Sequence, residues 1–108
     1  KAPVGRKVLV VGGGMVGCEA SEFLAERGHE VGIIEMKDVI ASDVTPENRR
    51  YMFENFRHHQ VLLMPSAKVE RFYADGVDYT CADGTAGSLR GYDNVVLAMG
   101  SRGIEGNR

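Results

Sequence analysis

With 108 residues, 44% of them hydrophobic and 26% charged, the chain is long enough for one domain with a modest core. A net charge of −2 and a pI of about 5.9 argue against nucleic acid or an anionic membrane surface as a partner, and no apolar run approaches the ~20 residues that a membrane span needs. No apolar stretch of signal-peptide type follows the first charges, and two cysteines, Cys18 and Cys81, are too few for a disulfide framework, so reduced thiols and a cytoplasmic location are expected.

Residues 8–11, VLVV, form a wholly apolar, valine-rich run, the pattern of a strand buried on both faces of a parallel sheet. Gly12, Gly13 and Gly14 end it. Over 15–27, Val16, Ala20, Phe23 and Leu24 recur at i, i+4, i+7 and i+8, which marks one face of a helix, and Gly28 closes that helix as a C′ residue. Residues 31–34 read as a second strand, and parallel pairing with the first is the default for this order. Thr45 is a good N-cap and Pro46 suits the first helical position, so a second helix is predicted from there to about His59, with Met52, Phe53 and Phe56 as its apolar stripe. Residues 61–64 read as a third strand.

The pattern then changes. Two Ala-Asp-Gly turns, at 74–76 and 82–84, separate short alternating segments, and Asp-Gly between such segments signals hairpins. Strands are predicted over 68–73, 77–81 and roughly 88–92, as an antiparallel three-stranded meander. Residues 94–99 form a last apolar strand that stops at Gly100, and the end of the chain lacks any apolar period. The order predicts a domain over 1–102 and a linker or loop over 103–108. It is an α/β fold: a parallel sheet with helices on one face and the meander on the other.

Glycine inside an element costs roughly 0.5–1 kcal/mol relative to alanine, so three in a row point to a geometric need. Gly12, Gly14 and Gly17 match G-x-G-x-x-G, after a buried strand and at the opening of a helix. Read physically, Gly12 permits the tight turn, Gly14 lets the backbone approach a pyrophosphate, and Gly17 lets the helix pack on the strand. The helix N-terminus, reached through Met15 and Val16, offers free N–H groups and the positive end of its dipole to phosphates. An ordinary glycine-rich turn is the alternative. Glu35 ends the second strand, 18 residues beyond Gly17, near the spacing of the acid that accepts hydrogen bonds from an adenosine ribose. A carboxylate there favours NAD or FAD over NADP, whereas the nearby Lys37 works against that preference; a solvated strand-end acid is the alternative. This is a Rossmann-like FAD/NAD(P)-binding pattern.

The block VVGGGMVGCEASEFLAERGHEVGIIE, residues 10–35, together with VVLAMGSR at 95–102, resembles the nicotinamide-binding domain of flavoprotein reductases with two dinucleotide domains. The nearest likeness is to the pyridine-nucleotide part of the 2,4-dienoyl-CoA reductase and 2-enoate reductase group, NADH:flavin oxidoreductases of the old yellow enzyme type. The resemblance implies a partner, the FAD-binding domain of the same polypeptide, which takes hydride from the nicotinamide. It also implies FMN and a 4Fe-4S cluster in the rest of the protein, and an unsaturated acyl substrate. Cluster cysteines and a second glycine fingerprint are not in this sequence, so the chain alone is expected to bind NAD(H), with NADP(H) less favoured, and not to turn over.

An FAD-binding domain shares both motifs and is the nearest alternative. There the closing strand usually comes much later, whereas Gly100 here follows Gly12 by only 88 residues. Glu19 also matches the acid that nicotinamide domains of related disulfide reductases place near the flavin–nicotinamide junction; an acid favoured by the helix dipole is the simpler reading. A non-catalytic NAD-sensing module generally continues strand–helix–strand, and the meander argues against it. The expected cofactor contacts are Gly12, Gly13, Gly14, Met15, Val16, Gly17, Glu19, Glu35, Met36, Lys37, Ala98, Met99 and Gly100, with no catalytic or metal-ligating residue assigned.

Other residues carry less. Cys18 sits at a helix N-terminus, where a thiol pKa can fall, but no C-x-x-C pair accompanies it. Cys81 reads as packing. His58 and His59 are adjacent and should point to different sides of a helix, which is not metal spacing. His29 should be exposed, residues 48–51 read as a solvated helix face, and Arg102 has no assigned role.

Overall fold

The computed structural model of the chain describes residues 6–98, so the expected contacts of Met99 and Gly100, the place of Arg102 and the linker at 103–108 lie outside the described residues. Strand β1 (Lys7–Val11) leads through the glycines into helix α1 (Met15–Glu26), then β2 (Glu30–Ile34), α2 (Pro46–His58) and β3 (Leu62–Met64). Strands β4 (Ala67–Tyr73), β5 (Gly76–Cys81) and β6 (Ala86–Leu89) follow, and β7 (Asn94–Leu97) returns to the first sheet. That sheet is parallel throughout, in the order β3-β2-β1-β7. The other three strands form an antiparallel sheet in the order β4-β5-β6, which is the expected meander.

The parallel sheet is packed on both faces. Val8, Val10, Val31 and Ile33 meet Cys18 and Ala25 of α1 and Met52 and Phe56 of α2. Leu9, Val11 and Ile34 turn the other way and meet Ala67 and Val77 of the meander. Burial on both sides explains why β1 shows no polar alternation. Leu9, Ile33 and Phe56 are at most 1% exposed, and full burial of such a side chain is worth about 1.5–3 kcal/mol. Helix α2 starts as expected: Thr45 Oγ1 accepts from the Asn48 N–H at 3.4 Å, and Pro46 takes the first turn.

Helix α1 turns a different face to the core than its periodicity marks. The buried residues are Gly17, Cys18, Ser21 and Ala25, while Val16 and Phe23 are 50% and 53% exposed and Ala20 and Leu24 are half-buried. The cause is Gly17. A Cβ there would run into the Gly12 carbonyl oxygen, so helix and strand approach too closely for large side chains between them. Only small residues fit, and the bulky ones move to the flank, where the Arg27 guanidinium lies 3.6 Å from the centre of the Phe23 ring.

The last meander strand also begins earlier than expected, at Ala86 instead of about 88, and ends at Leu89 instead of 92. The turn sets this. Cys81 donates to Thr85 O at 2.7 Å, Gly84 donates to Cys81 O at 2.9 Å with φ +93, and Asp83 Oδ1 accepts from the Thr85 N–H at 3.0 Å. The hairpin therefore closes at Thr85, and pairing starts at once with Thr80 opposite Ala86. Side chains as small as those of Ala86, Gly87 and Ser88 carry no alternating signal. Among the described residues, no helix is long and apolar enough to cross a membrane.

Candidate functional site

The glycine loop joins the end of β1 to the start of α1. Gly12 takes φ +112, a conformation that favours glycine, and its N–H donates to Ile34 O at 2.8 Å. Gly14 is the N-cap of α1, extended, with no side chain to cap the helix. The first N–H groups of a helix have no intrahelical acceptor. Here no cap side chain satisfies them, which leaves their partial positive charge available to an anion. Gly17 permits the close helix–strand contact, as its place in the motif predicts.

Glu35 is tied directly to this loop. Its Oε1 accepts from the Gly13 N–H at 2.6 Å and its Oε2 from the Lys37 N–H at 2.7 Å. Two backbone donors therefore fix the carboxylate, and each oxygen keeps a lone pair for a further donor. It is the backbone of Lys37, not its ammonium, that meets Glu35. Gly12, Gly14, Glu35, Met36, Lys37 and Ala98 all line one cleft of ≈ 420 Å³ at the carboxyl ends of the parallel strands. Ala98 is buried, and its N–H donates to Val11 O at 2.8 Å. A cleft outside the carboxyl ends of parallel strands is where open α/β sheets bind ligands.

Not every candidate faces this cleft. Gly13 stands behind it, with its N–H on Glu35 and its carbonyl accepting from Ala41 at 2.6 Å. Val16 is exposed at the first turn of α1. Met15 and Glu19 border a separate groove of ≈ 220 Å³ between α1 and α2, beside Glu22 and Tyr51. Conversely, Ser42, Asp43, Ala67, Lys68 and Val69 line the main cleft, and none was expected there. The first two arrive on a loop and the others on the meander, without any spacing motif that marks them. Arg49, expected on a solvated face, folds back instead to donate to Ala41 O at 3.1 Å and Val44 O at 3.3 Å and so holds that loop.

Cys18 is fully buried beneath the loop, with its thiol 3.5 Å from Gly13 O. Burial, and then the carboxylates of Asp43, Glu22, Glu35 and Glu19, push its pKa up to about 12. The thiol stays protonated at neutral pH, so the helix N-terminus does not activate it. His29 is half-buried, not exposed, and its Nδ1 is buried without a hydrogen-bond partner. The rings of His58 and His59 do not diverge but meet edge to face at 4.9 Å, since His59 is already the C-cap.

A family model described as pyridine nucleotide-disulphide oxidoreductase matches residues 1–105. Bilirubin reductase from Mediterraneibacter gnavus (strain CC55_001C) is 43% identical over 100 residues, covering 93% of this chain and 15% of that protein. NADH oxidase from Thermoanaerobacter brockii is 36% identical over 94 residues, covering 87% of this chain and 14% of that one. Among solved structures, a complex of 2-naphthoyl-CoA reductase with 2-naphthoyl-CoA superposes with a TM-score of 0.83 at 28% identity, over 92% of this chain and 15% of the other. The chain thus spans only about 15% of the length of these three proteins.

Proposed function

The chain belongs to the pyridine nucleotide-disulphide oxidoreductase family, and from that premise we propose that it is the NADH-binding unit of a longer flavin-dependent reductase. Members of this family are oxidoreductases that bind FAD and NAD(P)H. The observation that carries the reading is the coupling of Glu35 to the glycine loop through the Gly13 N–H, on the rim of the cleft onto which Gly12 and Gly14 open. That arrangement suits the ADP-ribose half of a dinucleotide. The start of α1, whose N-cap Gly14 carries no side chain, takes the pyrophosphate, and Glu35 accepts from the ribose hydroxyls.

Reduced nicotinamide, when bound, supplies a hydride. The chain's own residues hold and orient the dinucleotide. Cys18 is buried and protonated. The acceptor in this reading is FAD on another domain of the same polypeptide, and the domain proposed here runs over 1–102. An unsaturated acyl compound, as in the dienoyl- and enoyl-reducing group, is the proposed final substrate. The name of the 2-naphthoyl-CoA reductase supports reduction of a CoA-linked acid, and that of the NADH oxidase supports NADH. FMN and a 4Fe-4S cluster belong in this proposal to the remaining polypeptide.

The competing reading, an FAD-binding domain, is separated by one preparation. The purified chain should be colourless and should bind added NADH. Stoichiometric flavin absorbance in the purified chain would contradict the assignment.

A further inference from the structure

The loop between β2 and α2 is anchored on both sides of one exposed acid. Ala41 donates to Gly13 O, Val44 donates to Ala41 O at 3.1 Å, and Arg49 holds both loop carbonyls from α2. Ile40, Ala41 and Val44 are buried, so Ser42 and Asp43 are the exposed pair between the anchors. Both carboxylate oxygens of Asp43 lie 3.5 Å from the point where a side chain on Gly14 would begin. Among the described residues, no donor hydrogen-bonds this carboxylate and no cation pairs with it. It also lines the same cleft as Glu35. The acid thus faces the spot where the motif calls for close approach of a phosphate.

We propose that Asp43 is a resident competitor for the pyrophosphate, which lowers the site's affinity for every diphosphate-linked nucleotide. The inference rests on the dinucleotide reading of the cleft. The positive end of α1 attracts either anion, the carboxylate or the diphosphate. Two anions at one helix terminus repel each other, so a bound diphosphate must displace Asp43 or lie beside it. The loop anchors keep the competitor close, and the binding that results is weak and readily reversed. That suits a domain that exchanges its dinucleotide in every turnover. The effect depends on phosphate charge and not on the base, the ribose or the nicotinamide.

The test compares this chain with its Asp43→Asn and Asp43→Glu variants by titration with ADP-ribose and with uncharged adenosine at one fixed, low salt concentration. Asp43→Asn should bind ADP-ribose about tenfold tighter, which is ~1.4 kcal/mol, and adenosine unchanged. Asp43→Glu keeps the charge and should stay near the parent. ADP-ribose affinity unchanged or weakened in Asp43→Asn, with the parent binding, would overturn the proposal while leaving the cleft assignment standing. Binding of ADP-ribose to none of the three would overturn both.

Discussion

Glu35 is held by two peptide N–H groups and no counter-ion among the described residues, so its charge is available to a ligand. A 2′-phosphate carries about −1.5 to −2 charges, by analogy with other phosphomonoesters. At ~4 Å and an effective dielectric of ~20, each unit meets ~4 kcal/mol of repulsion. Solvent at the rim and the exposed Lys37 reduce this to about 1–3 kcal/mol, so NADH should bind roughly ten- to a hundredfold better than NADPH. Glu35→Gln should lose most of that preference and keep the fold, and Glu35→Arg should reverse it, because a guanidinium offers paired donors to a phosphate. Equal affinities in the parent, unchanged in Glu35→Gln, would show that the acid serves only the loop. Cys18 gives a prediction in pH. Its folded pKa lies above the 9.0 of a free thiol, at about 12, so the unfolded chain loses that proton first. The contribution is complete below pH 9 and is lost between about 9 and 12. Its loss has a ceiling of ~1.4 kcal/mol per pH unit. Urea unfolding from pH 8 to 11 should therefore show a shallower decline in Cys18→Ala than in the parent. Glu35 was legible in the sequence because a fixed spacing from the glycines marks it. Asp43 and Lys68 were not, since a loop and a separate sheet bring them to the cleft and no local pattern records that.

The glycine–helix element separates folding from binding. Alanine at Gly17 would place its Cβ against the Gly12 carbonyl, a backbone atom that cannot yield without moving α1. Overpacking of this kind costs about 1–3 kcal/mol, visible as a lower urea midpoint. Alanine at Gly14 meets only the Asp43 carboxylate at ordinary contact distance, and φ there is −79°. Gly14→Ala should unfold within about 0.5 kcal/mol of the parent yet bind NADH more weakly, as a methyl group now stands where the phosphate approaches. Equal destabilisation by both would contradict the division of roles between the two glycines. The same close contact explains why α1's buried face was hard to read: periodicity of large apolar residues finds a face only where there is room for them. Strand existence was legible throughout, because VLVV and the Asp-Gly turns are local signals. The bounds of β6 were not, since a five-residue hairpin closure sets them and its small side chains are silent.

At the scale of the molecule, β7 closes the sheet on one side and pairs only with β1 among the described residues. Leu97 at its end is 51% exposed, and Val16 and Phe23 on α1 are similarly open. Under the proposed function, the ADP-ribose half of the dinucleotide binds in this cleft and the nicotinamide ring rests against the flavin of another domain. Calorimetric titration of this chain with NADH and with ADP-ribose, under one buffer and salt, tests that division directly. The account predicts that both bind and that their affinities agree within about tenfold, or ~1.4 kcal/mol. NADH binding far tighter than that, or ADP-ribose failing to bind where NADH does, would place the decisive ring contacts within this chain and contradict it.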